Sequence, residues 1–324
     1  TSWPVLKDKT RNVSRFLETL GRHATWFMAA GFLLGLFLPP VAALLRPFLT
    51  VLVLALMTVV YLRIDPQRLA AQVRAPGTLA MAVLWIMVLS PLVAAGVLAL
   101  VDLPPTLKAA VILWAASPPL ASAATVAMIL GLDGALAFVI SLIASFLLPL
   151  TLPPLAAVVL GLELGLQPWT LSLRLAVMII STALAALVLR RLIGAAAIKR
   201  HPLRIDGLAV VFLFLFGIAV MDGAAETIFK NPAVAGLLVV TAFASAGLMI
   251  AFGTAIFWWS SRVTAGAIGF VSGNRNFALV LASGGAWPAD YFLYFAAIQF
   301  PIYLLPLILR PYARWLTDRD KDTS

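Results

Sequence analysis

The chain has 324 residues, of which 63% are hydrophobic and 11% are charged, and its formal net charge is +10 at pH 7. Soluble domains usually carry about a quarter charged residues, so this composition excludes an ordinary soluble domain and indicates a protein surrounded mostly by lipid. The basic residues stand in short runs between apolar stretches, which argues against a nucleic-acid-binding protein with one basic face. The absence of cysteine excludes disulfides, thiolate metal sites and a cysteine nucleophile.

The first 23 residues are basic and precede the first long apolar run. No small-residue cleavage site follows that run, so residues 1–23 are predicted to be a basic interfacial segment and not a signal peptide. At the other end, residues 311–324 are predicted to form a cytoplasmic tail.

Ten apolar runs between these ends are predicted to cross the membrane. A run of roughly 17–25 residues spans a bilayer as a helix, because a helix bonds its own backbone groups where no water is available. The runs cover Ala24–Leu45, Phe48–Leu62, Thr78–Leu100, Leu107–Leu130, Gly134–Leu160, Trp169–Leu192, Leu208–Met221, Pro232–Trp259, Val263–Gly285 and Tyr291–Leu309.

The distribution of basic residues predicts the orientation. With the N-terminus in the cytoplasm, eighteen basic residues fall in cytoplasmic segments and three (Arg46, Lys108 and Lys230) in outer loops. The positive-inside rule therefore predicts a multi-pass protein of the cell (inner) membrane with both termini cytoplasmic.

An even division of the ten spans predicts an inverted repeat, with residues 24–160 and 161–310 as its halves. An odd number of helices per half forces the second half to insert upside down, and transporters built this way bind substrate where one helix of each half is broken. Here the fourth span contains Ser117-Pro118-Pro119, and its counterpart, the ninth, contains the polar run Ser272–Asn276. We therefore expect broken helices four and nine to cross.

Arg275 is a charge deep in an apolar span. Such a residue costs at least about 2.5–3.5 kcal/mol on insertion scales and normally faces a cavity or a partner. The sequence offers no carboxylate at that depth, since Asp133, Asp222, Glu226 and Asp290 all fall at predicted helix ends. Two partners remain open: carbonyls released by the broken helices, which would make Arg275 a structural lock, or an anionic substrate.

Polar residues at both breaks and on the helices beside them complete the predicted substrate or crossing site. The serines have a structural alternative, because serine in a membrane helix often bonds back to its own backbone. The site comprises Ser117, Pro118, Pro119, Ser122, Ser141, Ser272, Gly273, Asn274, Arg275 and Asn276.

These motifs resemble the bile acid:sodium symporter family, within the bile/arsenite/riboflavin transporter superfamily, across almost the whole chain. The family's first broken helix reads roughly Cys-Pro-Gly-Gly-x-x-Ser-Asn, and its second reads Glu-x-Gly-x-Gln-Asn. The matching framework positions are Pro118, Asp133, Pro149, Gly273 and Asn276. The resemblance implies the ten-helix fold and transport by alternating access.

The departures from the family fall on its sodium ligands. The Ser-Asn pair is replaced by Ala123-Ala124, the glutamate by Val271 and the glutamine by Arg275, while the helix-three glutamine corresponds to Ile86 or Trp85. The resemblance therefore argues against sodium coupling, and it implies that Arg275 stands where a sodium ion would be bound.

The leading prediction is a sodium-independent uniporter or exchanger for a small organic anion, with no cofactor and no metal. Two alternatives stay open: a membrane sensor that kept the fold and lost transport, and a sodium symporter that uses backbone carbonyls alone. An enzyme is not expected, because no nucleophile–base pair or metal cluster is visible in the sequence. The expected partners are the anion and the lipid bilayer, and not nucleic acid; neither the substrate nor the oligomeric state can be read from the sequence.

Overall fold

The structure, a computed structural model, describes residues 14–63, 76–160, 167–283 and 287–321. All regular elements within these ranges are helices, which confirms the predicted all-α class. Most of them are strongly apolar, as expected where lipid replaces water around a bundle.

The helices follow one another with short connections. They are α1 (14–22), α2 (Ala24–Phe37), α3 (Pro39–Leu45), α4 (Leu49–Leu62), α5 (Pro76–Leu84), α6 (Ser90–Ala99), α7 (Pro105–Ala115), α8 (Ala121–Ile129), α9 (Gly134–Leu160), α10 (Pro168–Ile193), α11 (Ala195–Arg200), α12 (Pro202–Val220), α13 (Ala224–Lys230), α14 (Pro232–Ile256), α15 (Arg262–Ser272), α16 (Phe277–Ala282), α17 (Ala289–Ile308) and α18 (Arg310–Lys321). A 3-10 turn at Arg46–Phe48 joins α3 to α4, and a wider π-type turn at Trp85–Leu89 joins α5 to α6.

Seven helical stretches in the described ranges are long and apolar enough to cross a membrane. They are Pro39–Leu62, Pro76–Ala99, Gly134–Val158, Pro168–Ile193, Pro202–Val220, Pro232–Ile256 and Ala289–Ile308. The chain is therefore a multi-pass α-helical membrane protein. The other three predicted spans coincide with α2 and with the pairs α7–α8 and α15–α16, whose members are shorter. Ten spans and the inverted repeat stay predictions.

The boundary predicted between the first two spans is wrong. α2 ends at Phe37, and Leu38 leaves the helix with φ −123° and ψ 65°. Leu38 precedes Pro39, and the residue before a proline is disfavoured in helical geometry, whereas the proline itself suits the first turn of the next helix. A new helical stretch begins at Pro39, continues through the predicted loop at Arg46–Phe48 and ends at Leu62.

The predicted seventh span, Leu208–Met221, begins too late. Its helix starts at Pro202 and includes two charged residues in its first turns. Both are paired within the fold: Arg204 Nε donates to Glu18 Oε1 at 2.8 Å, and Asp206 accepts from Arg63. Glu18 lies on α1, so part of the segment predicted to be interfacial is a helix that packs on α12.

The chain divides into two compact units. The first contains α1 to α4, α10 from Met178 onward, α11 and α12. The second contains α5 to α9, α10 as far as Val177, and α14 to α18. Each unit combines helices from both predicted halves of the chain.

The first unit is held together by close backbone contact between α1–α2 and α12. A Cβ at Gly207 would lie 1.9 Å from the carbonyl oxygen of Leu17, and a Cβ at Gly31 would lie 2.7 Å from that of Phe214. Small residues let membrane helices approach closely, and dispersion contacts then replace the hydrophobic effect that lipid cannot supply.

In the second unit, α15 is the buried centre. Every residue from Ala265 to Ser272 is buried. α15 packs against α14 on one side and against α18 on another, and α17 packs against α14 and α7. This packing brings the two interrupted helix pairs into the same interior.

Candidate functional site

The first break, residues 116–120, separates α7 from α8. Pro118 and Pro119 have no backbone N–H and disfavour helical geometry in the residue before each, so the chain leaves the helix here. The hydroxyl of Ser117 donates back to the carbonyl of Leu113 at 2.9 Å and closes the last turn of α7. This arrangement leaves the carbonyl oxygens of residues 117 and 118 available to groups outside the helix.

The second break, residues 273–276, separates α15 from α16. Gly273 has an ordinary φ of −93°, so it is not needed for a left-handed turn. It is needed for space, because a Cβ there would lie 2.6 Å from the carbonyl oxygen of Ala246 on α14. Asn274 Nδ2 donates to the carbonyl of Phe270 at 2.8 Å and completes the end of α15.

The two breaks lie against each other. The N–H of Leu120 donates to the carbonyl of Asn274 at 2.9 Å, and the N–H of Asn276 donates to the carbonyl of Pro118 at 2.7 Å. The two segments therefore pair as a short antiparallel bridge. We call this region the helix crossing; it brings together the two interruptions that the sequence analysis paired.

The Arg275 side chain lies inside the helix crossing and is 1% exposed. Nε donates to the Ser272 carbonyl at 2.6 Å, and one terminal nitrogen donates to the carbonyls of Ile86 and Ser117 at 3.0 and 3.1 Å. The other terminal nitrogen donates to the Ser90 hydroxyl at 2.7 Å. A guanidinium has five N–H donors, and these four bonds engage most of them with neutral oxygens of the protein.

The Ile86 carbonyl is available because of a proline. In the wider turn at Trp85–Leu89, the N–H of Ser90 bonds to the carbonyl five residues earlier. In that register the Ile86 carbonyl would bond to residue 91, but Pro91 has no N–H. The Ser90 hydroxyl, at 3.0 Å, and Arg275 take its place. Wider turns of this type occur frequently at functional sites.

Trp85 joins the same region by its side chain. Its Nε1 donates to the hydroxyl of Ser272 at 2.9 Å, and that hydroxyl donates in turn to the carbonyl of Ile268 at 2.7 Å. From the sequence, either Ile86 or Trp85 could occupy the helix-three position of the site. The structure brings both to the helix crossing, Ile86 through its backbone and Trp85 through its indole.

Of the remaining predicted site residues, three are buried and one is exposed. Asn274 and Asn276 are buried at the helix crossing, with 3% and 5% exposure. Ser122 instead is exposed on the first turn of α8. Ser141 is buried, and its hydroxyl donates to the carbonyl of Ala137 on its own helix at 2.8 Å. Ser117 and Ser141 thus both make the backbone bond that the structural alternative for these serines requires.

Sequence reasoning missed Ser90 and Pro91. Ser90 is fully buried and contacts both Arg275 and the orphaned carbonyl beside it. A Ser-Pro pair in the middle of the third apolar run was the available signal, because a proline inside a membrane helix always leaves a carbonyl without its usual donor.

The carboxylates assigned to helix ends have partners of their own. Asp133 accepts from the N–H of Leu136, Asp222 pairs with Arg46, Glu226 pairs with Lys230, and Asp290 accepts from the hydroxyl of Thr106. None of the described carboxylates pairs with Arg275, so the helix crossing keeps the positive charge of its guanidinium.

Three of the positions to which the resemblance assigns sodium ligands are apolar here. The side chains of Ala123, Ala124 and Val271 are buried, with 4%, 3% and 0% exposure, and none has an oxygen atom. Three carbonyl oxygens at the helix crossing, those of Ile86, Ser117 and Ser272, accept hydrogen bonds from Arg275 instead.

A scan of the chain against profiles of known protein families finds no match, and a search among curated proteins finds no matching sequence. A functional assignment therefore rests on the motifs and on the geometry at the helix crossing.

Proposed function

We propose that the chain is a sodium-independent secondary transporter of a small organic anion, in which Arg275 replaces a sodium ion at the helix crossing. A multi-pass apolar bundle is compatible with a transporter. The observation that carries the proposal is the buried guanidinium, bonded to three carbonyls and a hydroxyl where two broken helices meet.

A cation is needed at this point for an electrostatic reason. Carbonyls released by broken helices direct the negative ends of their dipoles inward, and burial inside the protein removes them from bulk solvent. A bound metal ion can satisfy them, and so can a guanidinium, which is permanently charged and presents its donors in a rigid fork. With Arg275 covalently attached, the helix crossing is complete without an exchangeable ion.

This replacement has a thermodynamic consequence. A transporter without a sodium site cannot draw on the sodium gradient, and we propose that it moves its substrate down the substrate's own electrochemical gradient or exchanges it for another anion. The class proposed is therefore a uniporter or an exchanger that works by alternating access. A sodium site made of backbone carbonyls is disfavoured, because those of Ile86, Ser117 and Ser272 already accept from Arg275.

The charge at the helix crossing favours an anionic substrate. α8 begins at the first break without a side-chain cap, so the N–H groups of its first turn and the positive end of its dipole are directed toward that break. Ser122 is exposed on the same turn. Since the donors of Arg275 are largely engaged, the guanidinium would attract the anion through its field, and α8 would supply the direct contacts.

Flux into proteoliposomes tests the proposal. Purified protein is reconstituted, and uptake of labelled carboxylates and sterol conjugates is measured with sodium or choline as the external cation at equal ionic strength. We expect saturable uptake of at least one anion at the same rate in both salts, relative to protein-free liposomes. Uptake that requires sodium contradicts the proposal, and ligand-induced stabilisation without any flux indicates a sensor instead.

A further inference from the structure

The C-terminal helix carries a stack of aromatic rings on its outer side. Trp315 on α18 stacks on Tyr312 at 5.8 Å and on Trp258 at 6.1 Å between ring centroids. The guanidinium of Arg262 lies 5.8 Å from the ring of Trp258 and 5.9 Å from that of Trp315. We call Trp258, Arg262, Tyr312, Arg314 and Trp315 the C-terminal aromatic surface.

The rings of this surface are packed against each other and still exposed. Trp258, Tyr312 and Trp315 are 42%, 38% and 39% exposed, and Arg314 is exposed beside them. Ala313 and Leu316 of the same helix are buried, with 3% and 1% exposure. α18 is therefore docked through Ala313 and Leu316, and it leaves aromatic rings on one side of this contact and exposed arginines on the other.

The charge and the position of the C-terminal aromatic surface indicate which part of the membrane it contacts. α18 contains four basic and two acidic residues. It follows directly on α17, which ends at Ile308, and Trp258 follows directly on α14, which ends at Ile256; both of these helices are long enough to span the membrane. The surface thus lies at the ends of spans, the level where tryptophan and tyrosine reside among lipid headgroups.

We infer that the C-terminal aromatic surface binds anionic phospholipid headgroups of the adjacent leaflet. The indole rings of Trp258 and Trp315 fit the headgroup layer. The arginines complement a negative membrane surface, and each arginine near that surface favours association about fivefold. The inference is independent of the transported substrate, since it concerns a different face of the molecule.

Lipid bound here would also act on the broken helices. The Leu316 Cδ1 atom lies 2.8 Å from the Cβ position of Gly266 on α15, and the Thr317 Cγ2 atom lies 3.0 Å from that of Gly131, just after α8. α18 therefore contacts both arms that lead to the helix crossing, so a lipid that fixes α18 stabilises the second unit.

Quenching by brominated lipids tests the inference on the full-length protein. Intrinsic tryptophan fluorescence is measured in phosphatidylcholine bilayers that contain equal small fractions of brominated phosphatidylglycerol or brominated phosphatidylcholine. We expect the anionic lipid to quench more strongly, with a relative binding constant of at least about five. Equal quenching by the two lipids in the parent protein overturns the inference, as does a face covered by a second copy of the chain, which would exclude both lipids.

Two double variants and a matched control locate the effect. Trp258→Phe with Trp315→Phe keeps aromatic rings in the stack and should remove most of the excess quenching. Arg310 precedes Arg314 by one turn of α18, and both are exposed. Arg310→Gln with Arg314→Gln should lower the relative binding constant toward one, while Arg174→Gln with Arg191→Gln, at exposed arginines on α10, should leave it unchanged. An excess that persists in both the tryptophan and the α18 arginine variants places the anionic lipid elsewhere and also overturns the inference.

Discussion

Arg275 is the side chain on which the helix crossing depends most. Arg275→Ala removes the donors of three carbonyls and of the Ser90 hydroxyl at once, and buried acceptors without donors are costly. We predict a loss of about 4 kcal/mol or more in stability. Arg275→Lys should recover part of it, because an ammonium keeps the charge but lacks the planar fork.

Thermal denaturation in detergent measures this prediction. Arg174→Ala, at an exposed arginine on α10, is the control and should change stability by no more than about 0.5 kcal/mol. An Arg275→Ala protein that melts with the parent would show that the guanidinium does not hold the two breaks together.

The contribution of the Trp85 hydrogen bond to stability can be measured by comparing substitutions at two buried tryptophans, Trp85 and Trp114. Trp85 is 2% exposed and Trp114 is fully buried, but only the Trp85 Nε1 has a hydrogen-bond partner among the described residues. Replacement by phenylalanine removes a similar volume from each site. Trp85→Phe should therefore lose about 1 kcal/mol more than Trp114→Phe in melting experiments. Equal losses would mean that the bond to Ser272 contributes nothing.

At the scale of single residues, the sequence was informative where a residue type was unusual for a membrane helix. A charge and two prolines inside apolar runs located Arg275 and the first break, because each is unfavourable in a membrane helix without compensation. The sequence did not show that Arg275 bonds to protein oxygens, since a carbonyl released by Pro91 cannot be seen without the helical register. The sequence also did not show that Ser122 is exposed, whereas the Ser141 hydroxyl bonds to a carbonyl of its own helix.

At the scale of helices, the close contact between α1 and α12 can be tested with matched glycines. A Cβ at Gly207 would overlap the carbonyl of Leu17, whereas a Cβ at Gly247 on α14 would meet nothing within 4 Å. Gly207→Ala should lower stability by about 1–3 kcal/mol through overpacking. Gly247→Ala should be neutral or stabilising by up to about 1 kcal/mol. Similar melting temperatures for both variants would contradict the packing described for the first unit.

Helix boundaries were the part of the fold least accessible from the sequence. The apolar run across Leu38 and Pro39 is continuous, so hydrophobicity alone did not show that α2 ends there. Arg46 and Pro47 had the composition of a loop, yet the helical stretch continues through them. The 3-10 turn accommodates the proline, and Arg46 pairs with Asp222 at 2.7 Å, so neither residue needs to lie in a loop.

At the scale of the whole molecule, the orientation in the membrane follows from the distribution of basic residues. The chain has no cysteine, so single cysteines can be introduced without background. Cysteines at Ser2 and Thr323 should resist an impermeant thiol reagent in sealed right-side-out vesicles. A cysteine at Lys230, in a predicted outer loop, should react. Labelling of either terminus from outside would overturn the topology and the inverted repeat that depends on it.

The central claim is that a covalently attached guanidinium does the work of a bound sodium ion. Its most direct test is the melting temperature of the purified full-length protein while sodium chloride replaces choline chloride at constant ionic strength. With Arg275 bonded to the carbonyls of the helix crossing, we predict the same melting temperature at every sodium concentration. A sodium-specific rise that saturates at millimolar concentration would show an occupied sodium site and contradict the account.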